Sequence, residues 1–347
     1  MVQLAAAVHF EGLILVTTAQ GRSGVREHTQ RRCSSLSLRL VLMALALLVL
    51  PCGPRLVAQT FDDGIMISKL KYCTGVFYSY DYWTNYWQGD LSRANGNIGT
   101  ITTRDIQYIG NYGVTDHLDL IVNVPYVYTS ASSGVLHGQR GFQDVTFGAK
   151  VKALSIPIRS AGALRAMAVL SGSVPMTNYT PDDMPLSIGS HSRQATGRAI
   201  LNYLGKNGLY LNGAASYTLR GNVTLDRSSY YTNGKLYLSN QVAMPNQFNY
   251  AVSAGYRKND TTLTAGFGQQ QTRGGGDIRA QDVPFVSNRT NFSKINATLT
   301  YPLPRVHDLQ YWFLYSNTFD GRNVGQANTF TSGFLYTFDF NKKAVTR

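Results

Sequence analysis

Alternation with a period of two residues runs through most of this chain, and it narrows the available folds more than any other feature. From Phe330 to Phe340 every second position is large or aromatic with one exception, Ser332, while Thr331, Gly333, Thr337 and Asp339 lie between. Successive strand side chains point to opposite faces, so this stretch has an aromatic face and a wetter one. The pattern returns at Leu118, Leu120, Val122, Val124, Tyr126 and Tyr128, against His117, Asp119 and Asn123. It returns again over 209–219, 248–257 and 309–319, where Tyr250 and Phe313 oppose Asn249 and Ser316. One such segment is ordinary, because half-buried strands of soluble sheets alternate too. Many of them, each about ten residues long with aromatics near the ends, are the mark of a barrel whose outer face is covered by lipid.

The spacing predicts about twelve strands, near 70–82, 97–111, 117–129, 143–153, 162–174, 192–204, 209–220, 246–257, 261–271, 289–301, 308–320 and 327–340. Short connections, such as 112–116, 204–208, 258–260 and 302–307, alternate strictly with long ones at 83–96, 130–142, 175–191, 221–245 and 272–288, with a shorter member at 321–326. The 154–161 connection counts as a slightly longer member of the short class. An antiparallel meander in an outer membrane produces this alternation, with tight periplasmic turns and longer outer loops. The expectation is therefore an all-β, transmembrane, antiparallel up-and-down β-barrel of the bacterial outer membrane. Both chain ends then fall on the periplasmic side. A soluble sandwich would explain the alternation alone, but not its combination with the loop lengths and the front of the chain.

That front reads as a leader. Arg31, Arg32 and Arg39 precede an apolar run from Leu40 to Leu50, broken by Pro51, Gly53 and Pro54 and followed by Leu56-Val57-Ala58-Gln59. Basic, apolar and breaker segments in this order form a secretory signal, here with an extended N-terminal region, and place cleavage after Ala58. The expected division is a leader over 1–58 and a barrel over 59–347. Removing the leader takes away Glu11 and Glu27, the only glutamates, and six arginines. It leaves 17 Asp against 26 Lys plus Arg, a net charge of about +9 where the full chain has +13. The basic residues are scattered through loops and polar strand faces, with no basic helix or cluster, so nucleic acid is not an expected partner. No run of 18 apolar residues follows the leader, which excludes helical membrane spans. Cys73 alone remains of the three cysteines, so no disulfide is expected within the mature chain.

A hairpin adds a resemblance. Tyr112-Gly113-Val114-Thr115-Asp116-His117-Leu118-Asp119-Leu120, continuing to Val124-Pro125-Tyr126, resembles a motif of the outer-membrane barrels grouped with the transporters of phenol meta-pathway degradation. In that family the hairpin is followed by a glycine-bearing loop and a strand start with two glycines before an aspartate. Here that element is Gly141-Phe142-Gln143-Asp144, with Gln143 in place of the second glycine. The resemblance is confined to about 108–152. It implies an outer-membrane barrel serving as a channel for small, often hydrophobic compounds. The residues themselves speak for a tight turn, in which Gly113 is read as supplying unusual backbone angles and Thr115 and Asp116 as bonding local backbone.

The polar positions opposite the apolar faces are the candidate pore lining: Asp119, Asn123, Asp144, Lys150, Lys152, Asn202, Asn212, Asn249, Arg257, Lys294 and Asn296. A lining of this kind selects permeants by charge and size; a closed network of the same residues would serve only to stabilise the barrel. Twelve strands lie between filled eight-stranded barrels and open sixteen-stranded ones, so strand number does not decide between the two. No catalytic residues, cofactor or metal are expected. His191-Ser192 are strand neighbours pointing apart, Asp62-Asp63 and Asp182-Asp183 read as solvated loop acids, and Gly274-Gly275-Gly276 opens no helix. The leading function is passive diffusion of small, hydrophobic or aromatic compounds. A non-transporting surface barrel for adhesion or envelope structure is the alternative, and an outer-membrane hydrolase a more distant one. Outer-membrane lipids and the barrel-assembly machinery are the expected partners besides such solutes.

Overall fold

A computed structural model describes residues 60–347, except 160, 233, 280–283, 307 and 341–347. The predicted leader, 1–58, lies outside the described residues. Twelve long strands carry the fold: β1 (Lys71–Trp83), β2 (Ile101–Thr115), β3 (Leu118–Ala131), β4 (Asp144–Ile158), β5 (Gly162–Pro175), β6 (Gln194–Gly205), β7 (Leu209–Arg220), β8 (Gln247–Lys258), β9 (Thr261–Thr272), β10 (Asn291–Pro302), β11 (Leu309–Arg322) and β12 (Asn328–Asp339). Each pairs antiparallel with the next in sequence, and β12 returns to β1 from Lys71↔Asp339 to Tyr82↔Asn328, so the sheet closes on itself. Closure leaves no edge strand with unpaired backbone groups, the condition for spanning hydrocarbon with strands. Among the described residues no helix is long and apolar enough to cross a membrane.

The two faces separate as the alternation requires. Val76, Tyr78, Leu120, Leu170, Leu211, Val252, Leu263, Ile295, Phe334 and Phe338 stand exposed on the outside. A row of rings runs along the last strand, with Tyr336 packed edge-on to Phe338 at 4.7 Å and Phe338 stacked towards Phe340 at 6.4 Å. An apolar exterior belt with aromatic members is what a bilayer covers. The alternate positions, among them Asp119, Lys150, Asn202, Ser216, Thr218, Thr300 and Thr318, are buried inside the tube.

Two local readings are corrected. The 154–161 connection is mostly strand: β4 runs to Ile158 and β5 starts at Gly162, so only three residues of the sequence separate them. A bulge between Lys152 and Leu154 shifts the register by one residue. It keeps Lys152 on the same face as buried Met167 and turns Leu154, Ile156 and Ile158 outward, an ordinary use of a bulge. Gly113, for its part, does not have a left-handed backbone. It is required because a Cβ there would overlap the carbonyl oxygen of Ser68, which passes directly over it.

At the end of the barrel with the long connections, further short strands form above the wall. Asn85–Gln88 pairs with Leu91–Ala94, Val223–Thr224 with Gln241–Val242, and Tyr230–Thr232 with Lys235–Tyr237. Val223, Leu225, Tyr230, Val242, Met244 and Val286 give two of these loops a small core of their own. Arg322, at the end of β11, ties three loops by pairing with Asp277 (Nε to Oδ1, 2.7 Å) and Asp90 (Nη1 to Oδ2, 2.7 Å).

Candidate functional site

The barrel interior holds a segment of its own chain. Residues 60–70, immediately before β1, turn back into the tube at the short-turn end. Lys69 N–H donates to Asp116 Oδ1 and Leu70 N–H to the Gly113 carbonyl, pinning the segment to the β2–β3 turn. Beyond that point its apolar residues find two interior patches. Ile67 packs with Cys73, Phe77 and Leu335, backed by Ile109 and Trp312. Phe61 and Met66 pack on Met167, Val169, Ile200 and Ala214. These wall residues sit at inward positions that a water-filled lumen would make polar, and the segment is what covers them.

The polar groups of the segment are matched with equal specificity. Ile67 N–H donates to Asp119 Oδ2 at 2.9 Å. Lys150, with its side chain 0% exposed, donates to the carbonyls of Thr60 (2.6 Å) and Asp63 (3.1 Å) and forms an ion pair with Asp63 Oδ1 at 3.0 Å. A buried ammonium needs such a cage, because desolvation without it costs several kcal/mol. Asn212 Nδ2 donates to the Asp62 carbonyl at 3.0 Å, and Asn202 Nδ2 reaches Asn212 Oδ1 at 3.3 Å. Gly64 is packed so tightly on Asn202 that a Cβ there would overlap its amide. Arg198 Nε lies 2.6 Å from Asp62 Oδ1, an ion pair rather than an aligned hydrogen bond, and Arg198 Nη1 donates to the Phe61 carbonyl at 3.3 Å.

The other end of the lumen receives the connection between β5 and β6. Thr129, an inward residue of β3, donates its hydroxyl to the Leu186 carbonyl at 2.5 Å, and Val127 packs with Tyr179 and Ile188. Tyr179 donates its hydroxyl to Asp144 Oδ1 at 2.6 Å, accepts the His191 N–H at 2.7 Å and meets the His191 ring edge-on at 4.8 Å. Burial first, and then the Asp144 hydrogen bond, push the Tyr179 phenol above its ordinary range, so it remains a donor.

Two cavities in the barrel interior border Arg198. One, of about 260 Å³, is lined by Asp62, Ser216, Asn249, Phe292, Lys294 and Asn296 among others. The second, of about 290 Å³, is lined by Phe61, Asn123, Gln143, Asp144 and Thr196 among others.

All eleven sequence candidates lie on the interior face, in differing surroundings. Asn249, Lys294 and Asn296 border the first cavity, and Asn123 and Asp144 the second. Asp119, Lys150, Asn202 and Asn212 are covered by the segment or hold it. Arg257 lies over the Tyr210 ring at 5.6 Å, and Lys152 faces inward beside Met167. Asp63 is no solvated loop acid, because Lys150 holds it inside the barrel; Asp182 pairs with Arg227 at 2.8 Å. His191 and Ser192 make no dyad, since the ring rests on Tyr179 and the hydroxyl donates to the Gly221 carbonyl at 2.7 Å. Among the described residues no group of His, Cys, Asp or Glu is arranged to hold a metal.

Sequence reading missed Arg198, Asp62, Phe61 and Tyr179. The one usable signal for the segment was the apolar run Ile65-Met66-Ile67 between the two aspartates and the first strand.

A family model described as "MetA-pathway of phenol degradation" matches residues 88–334. No curated protein matches the chain at a significant level. Among solved structures, the chain is similar to the COG4313 outer membrane channel from Pseudomonas putida F1, at 13% identity over 80% of this chain and 100% of that one, with a TM-score of 0.65. It also aligns with the NanC porin at 9% identity over 76% of this chain and 98% of that one, at a TM-score of 0.43. The first of these shows the fold: a twelve-stranded barrel of the outer-membrane type.

Proposed function

The chain belongs to the family described as "MetA-pathway of phenol degradation", and we propose that it is a narrow outer-membrane channel through which small compounds diffuse passively. The observation that carries this reading is a pair of cavities inside the barrel, both lined in part by Arg198 and by residues of the N-terminal segment. Each is larger than the roughly 150 Å³ that suffices to hold benzene in a protein interior. Compounds of aromatic size therefore suit the interior, in keeping with the family description. The eleven interior polar residues then act as lining or as holders of the segment. Lys294 adds a cation to the lining of the first cavity beyond the Arg198–Asp62 pair, and a lining cation favours anions. The leader over 1–58 delivers the chain, and cleavage after Ala58 leaves the segment free to enter the tube. No catalytic step is assigned to it.

Refolded protein in planar bilayers tests the proposal. Discrete conductance steps with a reversal potential on the anion side support it. Silence across the full voltage range overturns it in favour of a surface barrel, the second reading. That reading has one observation behind it: the Tyr230–Tyr237 hairpin presents Leu236 and Leu238, 64% and 85% exposed, on a loop core that the wall does not need.

A further inference from the structure

We infer that Arg198 is the recognition centre of a binding site for a small organic carboxylate, and that Asp62 occupies this site as an internal substitute for that ligand. The inference rests on the channel reading above and adds to it a ligand class and the residue that reads it.

The two members of the pair stand in unequal positions. The Arg198 side chain is 14% exposed and belongs to a barrel strand, whereas the Asp62 side chain is 62% exposed and belongs to the inserted segment. The fixed partner is the cation, and the accessible one is the acid. A guanidinium presents five donors in a planar fork that takes a carboxylate through two parallel hydrogen bonds. Asp62 approaches one edge nitrogen with one oxygen, outside hydrogen-bond alignment, and Nη1 is turned to the Phe61 carbonyl. The fork therefore has capacity that Asp62 does not use.

The surroundings fit an incoming carboxylate. In the 260 Å³ cavity beside Arg198 the second cation is Lys294, and Ser216, Asn249, Asn296 and Ser316 supply neutral hydrogen-bonding groups. The only acid among its lining residues is Asp62 itself, contributed by the segment and not by the wall. Phe292 lies on the same cavity, with Lys294 Nζ over its ring at 4.7 Å, and offers an apolar face to the body of the ligand. A compact aromatic or branched acid satisfies both the charge and the volume. Its carboxylate would take the guanidinium from Asp62, so that binding and loosening of the segment at residue 62 are the same exchange.

The test uses the full chain refolded in detergent, titrated calorimetrically with benzoate and with benzyl alcohol, a neutral probe of similar size. Benzoate should bind and benzyl alcohol should not. Asp62→Asn removes the internal competitor and should tighten benzoate roughly two- to five-fold, the range a partly exposed ion pair supports. Arg198→Gln should abolish benzoate binding, and Arg198→Lys, which keeps the charge without the fork, should weaken it. Equal binding of the two probes overturns the inference, as does benzoate affinity unchanged by Asp62→Asn. Because Asp62 lies outside the barrel strands, these two comparisons decide the matter even if Arg198→Gln fails to refold. The same proteins in bilayers separate the two proposals. Selective benzoate binding in a silent protein would remove the channel and leave the site; conduction without preference for benzoate would remove the site and leave the channel.

Discussion

Lys150 reaches from the barrel wall to Asp63 in the N-terminal segment, 3.0 Å away, with the lysine entirely withdrawn from solvent and the aspartate side chain 24% exposed. The wall cation is thus the more deeply committed partner, and the carbonyls of Thr60 and Asp63 share its protons. The two ends of this contact should respond differently to substitution.

Lys150→Met should release the segment, because it strips a donor from four acceptors at once, the carbonyls of Thr60, Asp63 and Ile65 and the Asp63 carboxylate, and leaves that carboxylate without its cation. Removing one partner of a buried pair costs about 3–5 kcal/mol, and partial exposure of Asp63 places this case towards the lower end. Asp63→Asn should be milder, since the backbone carbonyls still accept from Lys150. A spin label at residue 65 would report the segment's mobility. Equal mobilisation by both variants would show that the carboxylate, and not the cage of acceptors, holds the lysine.

The wall gives a second prediction. Phe313 shares the outer face with exposed Tyr78 through the register Phe313↔Ser332 and Ser332↔Tyr78. Phe313→Arg should destabilise the refolded barrel by about 2–4 kcal/mol if it lies near the bilayer midplane. Asn212→Arg, on the inner face, should cost less. Equal shifts of the urea midpoint in vesicles would place one of the two on the wrong face.

Selectivity is expected to depend on the cations that border the cavities. Lys294→Gln should move the reversal potential in a salt gradient towards cations more than Lys150→Gln does, because Lys150 is neutralised by Asp63. The opposite ranking would mean that the segment does not occupy the tube in the conducting state.

Acid should untie the outer loops in a defined range. Hydrogen bonding to Arg322 holds the Asp277 carboxyl at about 2, below its ordinary 3.8. A depressed carboxylate contributes stability that is fully present above its unfolded value and disappears as pH falls through the folded one. Protease sensitivity of the 272–288 connection should therefore be constant from neutral pH down to about 4 and rise between about 4 and 2. Asp277→Asn should show the raised sensitivity at pH 7. A rise already complete at pH 5 would assign the loop contacts to another group.

Processing supplies the last prediction. Thr60, whose carbonyl accepts from Lys150 inside the lumen, directly follows the Gln59 that the leader reading makes the first residue of the mature protein. Intact mass of protein from the outer membrane should correspond to a start at or beside Gln59. A mature form retaining Arg31, Arg32 and Arg39 would contradict both the leader and the placement of the segment.

The wall was legible in the sequence because its physics is local. A strand with lipid on one side must alternate, and Leu118 to Tyr128 or Phe330 to Phe340 announce their outer face without reference to any other part of the chain. The bulge near Lys152 escaped because one extra residue breaks the alternation just where Pro157 also suggests a turn. The site was less legible. Asp119, Lys150 and Asn212 were recognisable as inward polar residues, but what they bind is a segment of about ten residues with no periodicity, and its partners lie 52 to 150 positions away. Arg198 was passed over for a similar reason, because β6 reads Gln-Ala-Thr-Gly-Arg-Ala and its outward positions are small. Without a large outer face to oppose, its inner face does not stand out.

Asp62 and Asp63 carry the charges that balance Arg198 and Lys150, yet both belong to the few residues ahead of the first strand. The electrical character of the tube's inside is therefore set partly by a detachable piece of chain. A cut five or six residues beyond Ala58 would leave all twelve strands untouched and unmask two wall cations, so one barrel can present two potentials according to where its chain begins.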